Sequence, residues 1–210
     1  MNVYEYFENT KNAPPHDITK KFIKMEQEAG KAIDLGCGAG RDTVYLIKNN
    51  WNVLAIDRED VRDIIEEKLD KVEVKNFNFS CQNFENIYLK ETNLIISNFS
   101  IPFCSRNYFD EFWNKIVTSI SNGGYFVGNF FGINDSWVPI KNKMVFLSKE
   151  QVLDLFIDFE ILYFKENEYD KKTAMGKIKH WHTFDVIAKK KEKIIQRVNK
   201  NEKIKCNSCV

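Results

Sequence analysis

The run Asp34-Leu-Gly-Cys-Gly-Ala-Gly-Arg41 constrains this chain more than any other stretch. Ahead of it, Lys31-Ala-Ile-Asp34 reads as the end of a short buried strand. Behind it, residues 41–50 read as a helix, with Val44, Leu46 and Ile47 on its inner side. Gly36, Gly38 and Gly40 therefore fall in a strand-to-helix turn, where they permit positive φ and let a ligand reach bare backbone. A second strand, Asn52 to Asp57, ends in a carboxylate. In such a βαβ unit that carboxylate accepts hydrogen bonds from both hydroxyls of a ribose. The unit commits the chain to an α/β fold and marks a nucleoside-cofactor site.

The glycine spacing narrows the cofactor. A dinucleotide fingerprint reads G-x-G-x-x-G, and its helix N-terminus faces a pyrophosphate. Here the spacing is G-x-G-x-G, preceded by Asp34 at the strand tip. A carboxylate there repels a pyrophosphate and suits an ammonium. S-adenosyl-L-methionine carries an ammonium, a sulfonium and one carboxylate, and no phosphate. No Lys-Ser or Lys-Thr follows the last glycine, which excludes a P-loop. Gly36 and Gly38 give backbone access to the methionine part. Arg41 either reaches the cofactor carboxylate or pairs with Asp42 or Asp57. Cys37, inside the loop, is a small buried filler beneath the cofactor.

With these motifs the chain resembles the class I S-adenosylmethionine-dependent methyltransferases. Asn93 to Asn98, followed by Phe99-Ser-Ile-Pro-Phe-Cys104, looks like that family's fourth strand and the loop facing the transferred methyl. Ser121 to Gly128 looks like the turn and fifth strand, and Lys179 to Lys189 like the final strand. Gly36 to Asp42 and Ser100 to Cys104 look most like the tellurite-resistance type of small bacterial methyltransferase. The resemblance implies a three-layer Rossmann-like fold, with a seven-stranded, mostly parallel sheet of order 3-2-1-4-5-7-6 and an antiparallel last strand. It also implies that Asn83 and Phe84 sit at the adenine. Asn98 and Phe99 would direct backbone carbonyls toward the cofactor ammonium. Ser100 and Phe103, with Tyr6 from a possible lid over residues 1–14, would border the acceptor.

Composition fits one α/β domain over residues 1–190, followed by a Lys-rich tail at 191–210. At 210 residues the chain suffices for one sizeable core. No apolar run approaches the roughly 18 residues of a membrane span, and the acidic, aromatic N-terminus does not read as a secretory signal. With 31 basic against 30 acidic side chains, the net charge of +1 gives no overall footprint for nucleic acid. Amino-methylating nucleic-acid enzymes of this class carry Asn or Asp-Pro-Pro at the fourth-strand tip, where this chain has Asn98-Phe-Ser-Ile-Pro102. Of the five cysteines, Cys81 and Cys104 read as isolated. Cys206 and Cys209 lack the second ligand pair of a zinc site, so no metal is expected. Reduced thiols in a cytoplasm are the plain expectation.

Strand and helix alternate along the rest of the chain. Residues 15–29 read as a helix capped by Asp17, with Ile18, Phe22 and Met25 inward and Gly30 ending it. Residues 59–69 read as the helix after the second strand, and the third strand falls within 72–79. Residues 108–119 carry Phe109, Phe112, Trp113 and Ile116 at helical spacing. Ser148 and Gln151 form a capping box before residues 152–156. Residues 159–165 and 181–188 form the last two strands.

Methyl transfer from a sulfonium expels a neutral thioether, so no general acid is required. A base is needed only when the nucleophile arrives protonated, and orientation supplies up to roughly 7–11 kcal/mol of barrier reduction. The catalytic group is therefore open. His16, His180 and His182 are the candidate bases, with His180 and His182 on one face of the final strand. Tyr4, Tyr6 and Phe7 could fold over the pocket as a lid. The chain reads as a methyltransferase for a small molecule or a chalcogen oxyanion. The alternatives are a nucleic-acid or protein methyltransferase, and a non-catalytic S-adenosylmethionine sensor. An NAD-dependent dehydrogenase is a distant fourth. Monomer and homodimer both remain open.

Overall fold

The computed structural model describes residues 3–25, 28–141 and 143–192. Side chains are described from residue 5 onward, so Tyr4 as a lid residue lies outside them, as does the tail from 193 with Cys206 and Cys209. Seven strands run β1 (Lys31–Leu35), β2 (Asn52–Asp57), β3 (Phe77–Cys81), β4 (Thr92–Ser97), β5 (Ile120–Phe131), β6 (Phe159–Lys172) and β7 (Ile178–Lys190). They form one sheet in the order β3-β2-β1-β4-β5-β7-β6. β1 to β5 pair in parallel, while β7 runs antiparallel to both β5 and β6. The helices are α1 (Val3–Thr10), α2 (Asp17–Ile23), α3 (Arg41–Lys48), α4 (Arg62–Glu66), α5 (Phe109–Ser119) and α6 (Lys149–Leu155).

Strand alternation divides the central residues between two cores, which is why both faces are covered. Ile33 and Leu35 of β1, Ile95 of β4 and Phe126 of β5 face α5 and α6. Ala32, Leu94, Ile96 and Val127 face the other side, against Phe22 of α2, Leu46 and Ile47 of α3 and Ile65 of α4. In the first core Trp113 stands edge-on to Phe126, Phe130 and Phe156 at 5.2–5.6 Å. Its indole N–H, which burial would otherwise orphan, donates to the Leu155 carbonyl at 3.2 Å. The aromatics at helical spacing are core residues.

Element limits differ from the sequence expectation in instructive ways. α2 stops at Ile23, and its N-cap is His16 rather than Asp17. The helix expected over 59–69 forms only at Arg62–Glu66, because Asp57 and Asp60 accept backbone N–H groups of Glu59 and Arg62 and hold a turn there. β3 begins later, after a 3-10 turn at Glu73–Asn76. The capping box at Ser148 and Gln151 forms as expected. β6 and β7 extend well past their apolar segments, to Lys172 and from Ile178. An antiparallel ladder needs only backbone partners to continue, so its exposed, polar end leaves no hydrophobic pattern.

Candidate functional site

The glycine loop is held to β2 from below. The N–H groups of Gly36 and Cys37 donate to the Ile56 carbonyl at 2.8 and 3.1 Å. Gly36 takes φ +70°, and a Cβ there would overlap the Cβ of Ser100 beneath it. Gly38 takes φ +54° and donates its N–H to Asp57 Oδ2 at 2.9 Å. Asp57 Oδ1 accepts from the Glu59 N–H at 3.2 Å. The carboxylate is thus aimed by the loop backbone, and each oxygen keeps acceptor capacity for a further hydroxyl. Cys37 is buried as a filler.

A cavity beside this loop is lined by Tyr6, Thr10, His16, Asp34, Gly36, Cys37, Gly38, Ala39, Arg41, Asp42 and Asn98. Two of its side chains are unbalanced. Asp34 is only 3% exposed. Burial, reinforced by the nearby Asp42 charge, pushes its carboxyl up to about 8 despite the Thr43 hydroxyl donating to it at 2.6 Å. Arg41 Nε is buried without a hydrogen-bond partner among the described residues, and no ion pair ties it to Asp42 or Asp57. An uncompensated acid and an orphaned cationic donor in one cleft match the ammonium and carboxylate of an amino-acid moiety. The residues present therefore fit S-adenosylmethionine.

Around the cavity a polar network locks α2, α3 and β4 together. Asp42 accepts the His16 N–H at 2.9 Å and faces His16 Nδ1 at 2.5 Å. Burial would raise this carboxyl, but the His16 hydrogen bond and charge outweigh it and hold Asp42 low. Asn98 donates from Nδ2 to Thr19 at 2.9 Å and to Asp42 at 3.1 Å, and accepts from Asn129 at 3.4 Å. Phe99 follows with φ +54°, a strained conformation for a side chain with a Cβ. The Asn129 side-chain oxygen holds it there by accepting the Phe99 N–H at 2.6 Å. The Phe99 ring then lies 5.3 Å from the His16 ring.

The remaining expected residues are placed as follows. Phe84 stacks on Phe112 at 4.6 Å, and its ring tip lies 3.5 Å from where a Cβ on Gly36 would stand, so it borders the loop. Asn83 is exposed ahead of the same turn. Ser100 is buried under the loop, its hydroxyl donating to the Leu35 carbonyl at 2.5 Å and facing Ser97. Phe103 is half exposed and packs edge-on to Phe131 and Trp137. Tyr6 comes over the loop from α1, so the segment expected as a lid is helical there, and Phe7 is buried.

His180 and His182 do not line this cavity. His180 pairs with Glu168 and Asp170 along the exposed end of the β6–β7 hairpin. His182 is buried, its Nδ1 accepting the Asn134 N–H at 3.1 Å and its Nε2 bonded to Glu166 at 3.1 Å. Both ring nitrogens are occupied, as a structural imidazole requires. Sequence reasoning missed their neighbour Lys179, which is 3% exposed and pairs with buried Asp135. Its ammonium lies 3.7 Å from the Trp181 ring, 4.5 Å from Trp137 and 5.1 Å from Phe131. The chain separation of these groups hid the box. For Asp42 the signal was present, an acid in the first turn of the helix after the loop.

Comparisons with known proteins place this architecture. The family model of tellurite resistance protein TehB matches residues 2–180. TehB from Haemophilus influenzae superimposes with a TM-score of 0.73 at 19% identity, covering 88% of this chain and 65% of that one. This chain thus spans just under two thirds of that protein. An S-adenosylmethionine-dependent methyltransferase from Methanosarcina mazei gives 0.66 at 17% identity, covering 86% of this chain and 100% of that one. N-methyltransferase NodS from Bradyrhizobium japonicum, solved with S-adenosylhomocysteine, gives 0.64 at 11% identity, with 91% and 100% covered. No curated protein matches in sequence. No helix among the described residues is long and apolar enough to cross a membrane. A family match running from the first helix into the final strand, on the sheet order of the S-adenosylmethionine-dependent methyltransferases, makes this chain a member of the TehB family.

Proposed function

We propose that this chain is a cytoplasmic S-adenosylmethionine-dependent methyltransferase, one domain over residues 1–190, acting on a small molecule or a soft anion such as a chalcogen oxyanion. The observation that carries the reading is the pairing, in one cleft, of the orphaned Arg41 Nε with the uncompensated Asp34 beside three glycines of positive φ. Arg41 would take the cofactor carboxylate and Asp34 the ammonium. Asp57 would take the ribose hydroxyls, and Phe84 would flank the base. Bound there, S-adenosylmethionine supplies an electrophilic methyl group and a neutral thioether leaving group.

The protein's own contribution is alignment and exclusion of water. Gly36 and Gly38 bring the backbone to the ligand, Tyr6 covers it from α1, and strained Phe99 presents an aromatic face at the tip of β4. Holding two reactants at attack distance removes much of the entropic barrier. The near-neutral net charge favours a small acceptor over a nucleic acid. Calorimetric titration tests the reading: S-adenosylmethionine and S-adenosylhomocysteine should bind and NADH should not. Methyl-transfer assays over thiols, phenols, amines, selenite and tellurite then identify the acceptor class.

A further inference from the structure

The histidine that reaches the cofactor cavity is not on the final strand. His16 stands at the N-cap of α2, where its backbone N–H and its Nδ1 both engage Asp42 on α3. A carboxylate on Nδ1 fixes the tautomer and leaves Nε2 as the ring nitrogen able to accept a proton. Among the described residues Nε2 has no hydrogen-bond partner, and the imidazole lines the same cavity as Asp34, Gly38 and Arg41. Asp42 is itself held by Asn98 and backed by Thr19, so the dyad is braced from two elements. On its outer side the ring meets Phe99, which stands edge-on to partly exposed Trp181 at 5.7 Å. His16 thus lines the donor cavity with Asp42 on Nδ1 and the Phe99 ring 5.3 Å from its own.

We propose that His16 is a catalytic base, oriented by Asp42, and that the acceptor is an aromatic molecule carrying an ionisable S–H or O–H group. The inference rests on the methyltransferase reading above and names the acceptor class for that site. The acceptor's S–H or O–H bond breaks and its proton passes to His16 Nε2. The freed lone pair forms the bond to the methyl carbon, and the carbon–sulfur bond of the donor breaks with its electrons staying on sulfur. The methylated acceptor and thioether leave, and His16 releases its proton to solvent, so the sequence is redox-neutral. An acceptor that arrives already ionised, such as tellurite, has no use for this dyad. The titratable and charged groups around it are Asp42 and Arg41 on α3, Asp34 on β1, Tyr6 on α1, Asp17 on α2 and Asp185 on β7.

The test uses the full chain, the variants His16→Asn and Asp42→Asn, and four acceptors: phenylmethanethiol and 4-methylphenol, which stay protonated near neutral pH, and selenite and tellurite. General-base catalysis contributes about 10²–10⁴-fold. His16→Asn should lose at least a hundredfold in kcat on phenylmethanethiol or 4-methylphenol, along with the acid limb of the pH–rate profile. Its loss on tellurite should stay below tenfold. Asp42→Asn, which acts through the imidazole, should shift that limb rather than abolish it. Calorimetry on His16→Asn separates the two roles of a residue in the cavity wall: a cofactor affinity that falls as far as kcat would mark a binding group and overturn the proposal. Imidazole ¹⁵N spectra of the wild type should show a protonated Nδ1 and a titrating Nε2, a readout independent of turnover. Equal losses on protonated and ionised acceptors overturn the proposal, as does a wild type that turns over neither aromatic acceptor. Absent cofactor binding by the wild type would instead bring down the underlying methyltransferase reading.

Discussion

Asp34 and Asp135 are both buried carboxylates, 3% and 2% exposed, yet their surroundings are opposite. Asp34, at the glycine loop, has a neutral donor in Thr43 and, among the described residues, no cation paired with it, and burial raises its carboxyl to about 8. Asp135, beyond β5, meets the buried Lys179 ammonium inside a box of Trp137, Trp181 and Phe131. The second acid is complete within the fold and ties the end of β5 to β7. The first lacks a counter-charge, and a bound ammonium is what would supply one. Burial alone does not distinguish a brace from a binding site; the presence of an internal partner does.

The largest way to break this contrast is Lys179→Met, which turns Asp135 into a second uncompensated acid. Removing one partner of a buried pair costs about 3–5 kcal/mol, which urea denaturation would read directly. Adding Asp135→Asn should restore most of that loss. An unchanged unfolding midpoint in the single variant would show that the ion pair contributes nothing.

Asp34→Asn is the converse. Because its folded carboxyl titrates above the unfolded value, Asp34 favours the fold most at low pH. That contribution falls as pH rises from about 4 to about 8, since the unfolded chain releases its proton first. The asparagine variant should therefore be more stable than wild type at pH 8, with the gap closing toward pH 4. It should also bind S-adenosylmethionine about ten- to a hundredfold more weakly. Stability gained and affinity lost together would set Asp34 apart from Asp135; a loss of both would erase the distinction.

Asp57→Ala removes the group oriented by the Gly38 N–H and should weaken cofactor affinity about ten- to a hundredfold, with adenosine binding weakened in parallel. The smallest effect is expected from Arg41→Gln. Affinity for S-adenosylmethionine should drop about three- to tenfold, and decarboxylated S-adenosylmethionine should feel no loss. A drop of equal size for both ligands would place Arg41 elsewhere than on the carboxylate.

The glycine loop was legible because its constraints are local. Gly36, Gly38 and Gly40 alternate along one short loop, and each takes positive φ. Asp57 ends the next strand, so one βαβ unit carries most of the cofactor contacts expected. The adenine and acceptor sides were less legible. Ser100 looked like a pocket hydroxyl from its place after β4, yet the close approach of the Gly36 backbone turns it downward to Leu35. His180 and His182 looked available because an alternating strand shows only which side a residue faces. Glu166 and Glu168 on the neighbouring β6 supply the partners, each two residues off the directly opposed position, and Asp170 faces His180 directly.

By itself the sequence determined the α/β class, the strand order through its family resemblance, and the acid-and-glycine cradle. Those features arise from residue types a few positions apart, where backbone sterics and hydrophobic alternation act directly. Only the tertiary structure decided which charges are paired and which histidine faces the ligand. Asp135 finds Lys179, and His16 finds Asp42, across long separations in the chain. Whether a buried charge is balanced depends on the groups within a few ångströms of it, and those are brought together by sheet pairing and helix packing rather than by local pattern.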